Sequence, residues 1–504
     1  MADYDIGLIG LAVMGQNLVL NMSDHGFKVA AYNRTTSIME EFINGSAKGR
    51  EIQGAHTLEE LIGLLKKPRR VMILVKAGSP VDQTIEALLP LLDLGDVIID
   101  GGNSFFGDTI RRCQYLKDKG ILYVGTGVSG GELGARFGPS ITPGGTPEAW
   151  PLVKEIFQAI SAKVDGEVPC CEWMGSDGAG HYVKMVHNGI EYGFLQLIAE
   201  SYHVMKSVLK LSHEEMSETF KCWSRGRLSS FLIEVAGDVL AVKDTDGKPL
   251  LEKILDAAGQ KGTGRWTTES ALQLGIPLTL VTEAVFARSL SALKEERVEA
   301  SKQIPAHEFT FTGDKQKVLD DLENALYVSE IISYAQGFML FRDAAREFKW
   351  QLDYGTIANI WRNGCIIRSA LLTHIRDAYL RNKDLKNLLF DEFFKSEFHD
   401  GITSLRNITA LAAQSGTPAP AYFTALSFYD GYRSAVLPAN LTQAQRDYFG
   451  GHTYERVDAP RGKFFHTDLQ GDRAGRADVQ ERGSGGSRAL RTARGTDPGD
   501  GSIP

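Results

Sequence analysis

Cysteine is scarce in this chain of 504 residues, which contains only five. Their number is odd and their spacing matches no metal-ligand pattern, so the sequence predicts neither a disulfide framework nor a zinc site. No apolar run reaches the length that a membrane span needs, and Asp3 and Asp5 stand where a signal peptide would carry positive charge. We therefore expect a soluble, cytoplasmic protein with reduced thiols and no membrane partner.

Positive charge is also lacking, because Asp and Glu outnumber Lys and Arg and give a formal net charge of −8. This balance argues against nucleic acid as the main partner, although a local basic pocket remains compatible with it. The hydrophobic content of 43% and the charged content of 23% are those of an ordinary globular protein. The length suffices for roughly two or three domains.

The N-terminal residues are typical of a dinucleotide-binding unit. Residues 4–9 predict a buried strand, residues 10–15 form a glycine-rich turn, and a helical pattern follows. Strand, glycine turn and helix in this order are the context that a dinucleotide fingerprint requires. The turn reads G-x-A-x-x-G, so Ala12 adds one methyl group close to the expected position of the pyrophosphate.

The segment after the second predicted strand indicates which dinucleotide binds. NAD enzymes tend to place Asp or Glu about 20 residues after the glycines, where the carboxylate bonds the ribose 2′-hydroxyl. This chain carries Asn33 and Arg34 there. A carboxylate would repel a 2′-phosphate, whereas a guanidinium binds it with charge-assisted hydrogen bonds. We therefore predict NADP rather than NAD; the alternative is that Arg34 is an ordinary solvated turn residue.

Further apolar strands, at residues 70–75, 96–100 and 121–124, alternate with helical segments. Repeated βαβ units whose strands are apolar throughout predict a parallel sheet covered on both faces. Each of these strands is followed by a polar, glycine-bearing loop, and such loops line the ligand crevice of a doubly wound sheet. We expect a Rossmann-like, doubly wound α/β domain over residues 1–177.

A helical region follows, and one stretch of it carries groups suited to catalysis. Residues 180–209 have a helical pattern, and with about 3.6 residues per turn one face would carry four polar side chains. They are Lys184, His187, Asn188 and Glu191. An amine and a carboxyl group on one buried stripe suit base and acid steps on a single small molecule. The alternative is a satisfied polar seam that only stabilises a helical domain.

A glycine-rich stretch at residues 259–267 frees Lys261 and Thr263 to present donors to an anion, although a solvated turn has the same composition. Arg288, on a predicted helix at residues 277–294, is either a phosphate ligand or a surface ion-pair residue. The other predicted helices complete an all-helical domain over residues 178–435. They are at residues 214–219, 229–240, 251–255, 318–348, 354–362 and 405–414.

Residues 436–504 form a C-terminal segment and tail. The part up to about residue 467 is aromatic, and it contains Arg446 and His452. After about residue 468 the chain is rich in Gly, Arg, Asp and Ser and has few large apolar side chains. Such a composition cannot bury a core, so we expect this tail to be disordered.

Several stretches of the chain match one enzyme family. They are residues 10–15, 33–35, 101–104, 128–132, 184–192, 259–264 and 445–455. Together they resemble the 6-phosphogluconate dehydrogenase family, within the β-hydroxyacid dehydrogenase superfamily, over roughly residues 4–467. The wider superfamily shares the cofactor turn and the lysine, but not the segment with Arg446 and His452.

The resemblance implies NADP-dependent oxidative decarboxylation of 6-phosphogluconate to ribulose 5-phosphate, CO2 and NADPH, a reaction of the pentose phosphate pathway. It implies that Lys184 accepts the proton of the 3-hydroxyl as hydride leaves, and that its ammonium then polarises the new ketone while CO2 departs. Glu191 would protonate the resulting enediol carbon, so it needs to be a carboxylic acid at that moment. No metal is implied, since Lys184 supplies the positive charge.

The resemblance also assigns binding residues. Those for NADP are Gly10, Leu11, Ala12, Val13, Met14, Gly15, Asn33, Arg34, Thr35, Val75, Lys76, Ala77 and Asn103. Those for the substrate are Asn103, Ser129, Gly130, Gly131, His187, Asn188, Tyr192, Lys261, Thr263, Arg288, Arg446 and His452. Because the family contributes the last two positions from a second subunit, the resemblance implies a homodimer.

Some positions depart from the family pattern. Phe194 stands where aspartate is usual, Leu133 where a second glutamate is common, and Thr142 where methionine is usual. The tail after Asp468 does not follow the family's C-terminal segment. A lost carboxylate at position 194 would alter the setting of Glu191 or leave a former partner unpaired. The alternatives are a catalytically weakened homologue that binds NADP or sugar phosphate, and a dehydrogenase for a β-hydroxyacid without phosphate.

Overall fold

The computed structural model describes residues 3–306, 308–468 and 478–482. The chain divides into a first unit that ends at Tyr429 and a second unit that begins at Asp430. The first unit contains the large sheet and most of the helices. In the described part of the chain, no helix is both long and apolar enough to cross a membrane.

A seven-stranded sheet forms the centre of the N-terminal part of the first unit. Its strands are β1 (Ile6–Ile9), β2 (Val29–Tyr32), β3 (Ile52–Ala55), β4 (Arg70–Ile73), β5 (Val97–Asp100), β6 (Leu122–Val128) and β7 (Ile141–Gly145). Their order is β3-β2-β1-β4-β5-β6-β7, and every neighbouring pair is parallel except β6 and β7. The predicted Rossmann-like, doubly wound fold is therefore confirmed.

Helices cover both faces of this sheet, which is why its strands are apolar throughout. They are α1 (Val13–Asp24), α2 (Thr36–Asn44), α3 (Leu58–Leu64), α4 (Ser79–Leu88), α5 (Phe106–Lys117), α6 (Gly131–Phe137) and α7 (Trp150–Ile160). Adjacent residues of β1 point to opposite faces: Leu8 packs in one apolar core with Leu18, and Ile9 packs in the other with Leu61 and Ile85. A short hairpin, β8 (Lys163–Val164) and β9 (Val168–Pro169), follows α7.

The large helical region predicted after the sheet is also confirmed. Its helices are α8 (Ala179–Ser207), α9 (His213–Trp223), α10 (Phe231–Ala241), α11 (Thr263–Leu274), α12 (Thr279–Ala292), α13 (Lys294–Gln303), α14 (Lys315–Phe348), α15 (Tyr354–Ile360), α16 (Leu371–Arg381), α17 (Glu392–Ser415) and α18 (Pro420–Arg433). Helix α8 has 29 residues and is buried on nearly all sides, so it is a central element of the first unit.

Several local predictions differ from the structure. Strands β3 and β7 were not expected, because Gly54 and the run Pro143-Gly144-Gly145 interrupt their strand-like patterns. The helix predicted at residues 251–255 is a short 3₁₀ turn at Leu250–Lys253. In the helical region, helices α11, α13, α16 and α18 stand where no helix was predicted.

The second unit contains helix α19 (Ala439–Gly450) and strands β10 (Phe464–Asp468) and β11 (Asp478–Arg482), which pair in antiparallel fashion. Asp447 organises the loop after α19, because its carboxylate accepts hydrogen bonds from the backbone N–H groups of Thr453 and Thr467, each at 2.9 Å. Most of the tail that was predicted to be disordered lies outside the described residues; of it, the structure describes residues 478–482 as strand β11.

Candidate active site

Glycines let helix α8 lie directly on the edge of the sheet. A side chain at Gly127 of β6 would clash with the side chain of Lys184, and one at Gly180 would clash with the carbonyl group of Gly125. Gly144 of β7 likewise has no room for a side chain beside the backbone of Gly180. This close approach places the second turn of α8 beside the loop that follows β6.

Lys184 is the amine that this approach delivers to the end of β6. Its side chain is buried, and Nζ donates a hydrogen bond to the Ser129 hydroxyl at 2.9 Å. Burial lowers the pKa of Lys184 below its usual value, while the carboxylate of Glu191 opposes the shift. The site therefore favours the neutral amine more than water does, as a proton acceptor requires.

Glu191 lies on the same face of α8, two turns after Lys184. Its side chain is 22% exposed, and Oε2 lies 3.9 Å from Nδ1 of His187. Burial raises the pKa of Glu191 above its usual value, and the positive charges of Lys184 and Arg288 oppose the shift. A carboxyl group in this setting holds its proton more tightly than an exposed one and can act as an acid.

His187 stands between these two groups as a neutral imidazole. Burial, together with the charge of Lys184, holds the pKa of His187 well below its usual value. Nδ1 lies 3.0 Å from the acceptor Oδ1 of Asn188, so Nδ1 carries the proton. Nε2 is buried and has no partner among the described residues, which leaves an acceptor for a ligand hydroxyl. The ring packs edge-on against Trp361, with centroids 5.5 Å apart.

A cationic group closes one end of this face. The Arg288 guanidinium lies over the Tyr192 ring, 3.4 Å from its centroid, and donates to the Gly259 carbonyl oxygen at 3.3 Å. Asn188 donates to the Thr263 hydroxyl at 3.3 Å. Thr263, Arg288 and Tyr192 thus lie together beside the polar stripe.

The glycine-rich stretch differs from the predicted loop in one respect. Thr263 is the first residue of α11, and Gly262 precedes it in the left-handed region with φ of 99°. The helix can start there because Gly264 lacks a side chain that would strike the Tyr192 ring. Lys261 is exposed just before the helix.

The predicted cofactor turn has a closely packed backbone. Gly10 has φ of 105°, and a side chain there would strike the Leu74 carbonyl oxygen. A side chain at Gly15 would likewise strike the Gly10 carbonyl oxygen. Ala12 is the N-cap residue of α1 and supplies no side-chain acceptor, so the first N–H groups of this helix remain available to an anion.

Asn33 connects this turn to the end of β2. Its Oδ1 accepts a hydrogen bond from the Leu11 N–H at 3.0 Å, and its Nδ2 donates to the Thr35 carbonyl oxygen at 3.0 Å. Arg34 beside it is exposed, and within the described residues its guanidinium has no hydrogen bond or ion pair. Lys76 and Asn103 are exposed at the ends of β4 and β5, next to the half-buried Val75 and Ala77.

Comparison with known proteins identifies the family. Residues 5–175 match the model of the NAD binding domain of 6-phosphogluconate dehydrogenase, and residues 180–469 match that of the 6-phosphogluconate dehydrogenase C-terminal domain. The decarboxylating 6-phosphogluconate dehydrogenase of Ovis aries is 61% identical over 472 residues, which cover 94% of this chain and 98% of the relative. That of Haemophilus influenzae is 57% identical over 467 residues, which cover 93% and 96%.

Comparison with a solved structure supports the same family. Plasmodium falciparum 6-phosphogluconate dehydrogenase, determined in its apo form and in complexes with its cofactor NADP+ and its substrate 6-phosphogluconate, has a TM-score of 0.89. It is 45% identical, and the match covers 92% of this chain and 99% of that chain. This chain belongs to the 6-phosphogluconate dehydrogenase family. The resemblance read from its motifs is confirmed.

The structure shows what surrounds the three residues that depart from the expected family pattern. Phe194 is buried and packs edge-on against Tyr334, with centroids 5.1 Å apart. It lines a small cavity together with Glu330, whose Oε1 is buried and has no partner among the described residues. Thr142 donates to the Gly180 carbonyl oxygen at 3.1 Å, so it helps to hold α8 on β7. Leu133 is 71% exposed on α6.

Arg446 and His452 lie in the second unit. Arg446, on α19, donates from Nη1 to the Gln443 side-chain oxygen at 2.9 Å. His452 follows the end of α19, and its ring centroid is 6.3 Å from that of Phe449. Their contribution to the site of a neighbouring subunit stays a prediction.

Sequence reasoning missed some residues that support the site. Trp361 against His187 is one, and the Asp100 carboxylate with the Arg112 guanidinium beneath the loops after β4 and β5 is another. Asp100 stands at the end of a predicted strand, directly before the loop with Asn103. The signal in the sequence that could have identified Asp100 was a charged residue at the end of an otherwise apolar strand.

Proposed function

We propose that this chain catalyses the NADP-dependent oxidative decarboxylation of 6-phosphogluconate to ribulose 5-phosphate, CO2 and NADPH. One observation carries the proposal: in a chain of this family, α8 presents Lys184, His187 and Glu191 on one face, with Lys184 held by Ser129 at the end of β6. An amine of lowered pKa and a carboxyl group of raised pKa on that face suit the base and acid steps of the reaction.

Lys184 accepts the proton of the substrate 3-hydroxyl during oxidation. Burial favours its neutral form, and proton uptake converts it to an ammonium beside the new ketone. That ammonium polarises the ketone, which must take up the electrons of the breaking carbon–carbon bond as CO2 leaves. Ser129 keeps Nζ at the end of β6 during both steps.

Glu191 supplies the last proton, to the enediol carbon that decarboxylation leaves. Its raised pKa keeps a larger fraction of the carboxyl group protonated near neutral pH. His187 binds a substrate hydroxyl through Nε2, the acceptor that has no partner among the described residues. The His187 ring is neutral, so it adds no second positive charge beside Lys184. Such a charge would oppose the protonation of Lys184 that accompanies oxidation.

When bound, NADP would supply the hydride acceptor that oxidation of the substrate needs. The residues present fit this cofactor, because the turn after β1 has room only for glycine at positions 10 and 15, and Arg34 is exposed and unpaired among the described residues. The residues that hold it in this proposal are Gly10, Leu11, Ala12, Val13, Met14, Gly15, Asn33, Arg34, Thr35, Val75, Lys76, Ala77 and Asn103.

Substrate binding and assembly complete the proposal. The sugar acid is held by Asn103, Ser129, Gly130, Gly131, His187, Asn188 and Tyr192, and its phosphate by Lys261, Thr263 and Arg288. Arg446 and His452 serve the site of a second copy in a homodimer. The domains are residues 1–177, 178–435 and 436–504, and the protein acts in the cytoplasm within the pentose phosphate pathway.

The test measures NADPH formation with 6-phosphogluconate beside gluconate, which lacks the phosphate. Turnover that requires both the phosphate and NADP supports the proposal. A folded protein that binds NADP and 6-phosphogluconate without forming NADPH would overturn it in favour of a catalytically weakened binding protein. Turnover of gluconate as fast as of 6-phosphogluconate would overturn the assignment of Lys261, Thr263 and Arg288.

A further inference from the structure

A buried carboxylate lies directly beneath the loop that follows β5. Asp100 is fully buried, and its oxygens accept hydrogen bonds from the Gly102 N–H at 3.1 Å and the Ser104 hydroxyl at 2.6 Å. The Tyr123 hydroxyl at 3.1 Å and Nη1 of Arg112 at 3.4 Å complete its shell. Gly102 and Ser104 flank position 103, so the carboxylate fixes the backbone on both sides of that position.

Arg112 connects this carboxylate to the neighbouring loop, which follows β4. Its side chain is 1% exposed, and Nη2 donates to the Gly78 carbonyl oxygen at 3.0 Å. Nε donates to Asp82 of α4 at 2.8 Å. One rigid guanidinium thus contacts the end of the loop at residues 75–78, the start of α4 and the end of β5. A lysine offers a single donor point and cannot make these contacts together.

We propose that the Arg112–Asp100 pair is a positioning pair that holds the loop after β4 and the loop bearing Asn103 in one arrangement, so that NADP and 6-phosphogluconate bind to a pre-formed edge of the sheet. This rests on the proposed function, which gives residues 75–77 to NADP and Asn103 to both ligands. Neither charged group contacts a ligand, because both are buried beneath the loops.

The positioning role predicts a coupled effect. Displacing these loops by about 1 Å would misplace the contacts to both ligands, and errors of that size are costly for binding and catalysis. Loss of the Ser104 hydroxyl or of the Arg112 guanidinium should therefore weaken the binding of both NADP and 6-phosphogluconate. A pair that only stabilises the fold would lower the stability and leave both affinities of the folded fraction unchanged.

The chain contains a matched control at the other end of β5. Asp96 is buried, accepts from the Arg69 N–H at 2.7 Å and pairs with Arg69 Nη1 at 2.8 Å. It also accepts from the Asp93 N–H at 2.9 Å. This pair precedes the strand, whereas Asp100 ends it, so the Asp96 pair lies at the edge of the sheet away from the predicted ligand loops.

The experiment compares Ser104→Ala and Arg112→Lys with Asp96→Asn in the full-length protein. Titration calorimetry gives the dissociation constant for NADP, steady-state assays give the Michaelis constant for the sugar-acid substrate, and urea unfolding gives the stability. We expect both constants to rise about tenfold in the first two variants, because loosened loops misplace the contacts to both ligands, and to stay unchanged in Asp96→Asn. Ser104→Ala removes one oxygen atom and keeps the test possible if Arg112→Lys does not fold.

Unchanged affinities in folded Ser104→Ala and Arg112→Lys would overturn the proposal, as would an equal loss of affinity in Asp96→Asn. A third variant, Asn103→Ala, tests whether Ser104 acts on the ligands through Asn103. The losses of affinity in Asn103→Ala and Ser104→Ala should then be less than additive, because both variants weaken the contact between Asn103 and the ligand. If the wild-type protein forms no NADPH, the proposed function fails. The NADP titrations then still decide whether the pair positions the cofactor loop.

Discussion

Phe194 and Glu330 line the same small cavity within the first unit, and among the described residues Oε1 of Glu330 has no hydrogen-bond partner. Phe194 comes from α8, one turn after Glu191, and Glu330 comes from α14. The resemblance read from the sequence leads us to expect aspartate at position 194, so this cavity surrounds one of the expected departures from the family pattern.

Phe194→Asp is expected to destabilise this chain, although it introduces the residue that the family resemblance leads us to expect there. The change removes a buried ring that packs against Tyr334 and adds a second carboxyl group beside Glu330. We expect a loss on the order of 3–5 kcal/mol in the free energy of unfolding, measured by urea denaturation. Phe194→Leu, which adds no charge, should lose less. A Phe194→Asp variant as stable as the wild type would contradict this account.

Glu330 should make the stability fall as the pH rises. Burial raises the pKa of its carboxyl group from 4.5 to about 8 in the folded protein. Below pH 4.5 both states are protonated; above it only the unfolded state ionises, so stability falls until about pH 8 and then levels off. The expected contribution is about 1.4 kcal/mol per pH unit.

Glu330→Gln removes that dependence. Unfolding free energies measured between about pH 5 and 8 should fall less steeply in the variant than in the wild type, by about 1.4 kcal/mol per pH unit. If the new amide changes the free energy of unfolding by the same amount at every pH, the dependence of that free energy on pH is unaffected. Glu347→Gln on the same helix, at an exposed carboxyl group, serves as the control. Equal slopes for the wild type and Glu330→Gln would show that Glu330 is ionised in the folded protein.

Arg34 should determine the preference for NADP. Its exposed guanidinium stands beside Asn33 at the end of β2 and, among the described residues, has no competing partner. Arg34→Ala should raise the Kd for NADP about 10- to 100-fold, the value of hydrogen bonds to a charged group, and leave the weaker binding of NAD unchanged. Lys48→Ala, which removes another exposed positive charge, is the matched control. Equal losses of affinity for NADP and NAD would show that Arg34 does not contact the 2′-phosphate.

The sequence predicted those parts of the site that local patterns determine. The spacing of Lys184, His187 and Glu191 fixes which helical face they share, and the structure has α8 at Ala179–Ser207 where the pattern predicted a helix. The glycine turn was likewise predictable, because Gly10 and Gly15 lie in one short motif and a side chain at Gly15 would strike the Gly10 carbonyl oxygen. Both features depend on residues close together in the chain.

Features that depend on distant contacts were missed. The Asp100–Arg112 pair joins a strand end to a helix, and the contact of Trp361 with His187 joins segments far apart in sequence. Strand β7 was missed because its glycines, such as Gly144, are needed for the approach of α8 rather than for the strand itself. Residues 259–267 were expected to be a loop, yet α11 begins at Thr263, and Gly264 allows that helix to pack against Tyr192.

The most direct test of the proposed chemistry is the rate of NADPH formation by Lys184→Ala with saturating NADP and 6-phosphogluconate. Lys206→Ala is the control, because Lys206 lies on the same helix but is 40% exposed and pairs with Glu252. Loss of a positioned general base should lower kcat by on the order of 10³-fold in Lys184→Ala, with NADP binding retained and Lys206→Ala unaffected. A Lys184→Ala variant that turns over at the wild-type rate would contradict the assignment of Lys184 as the base.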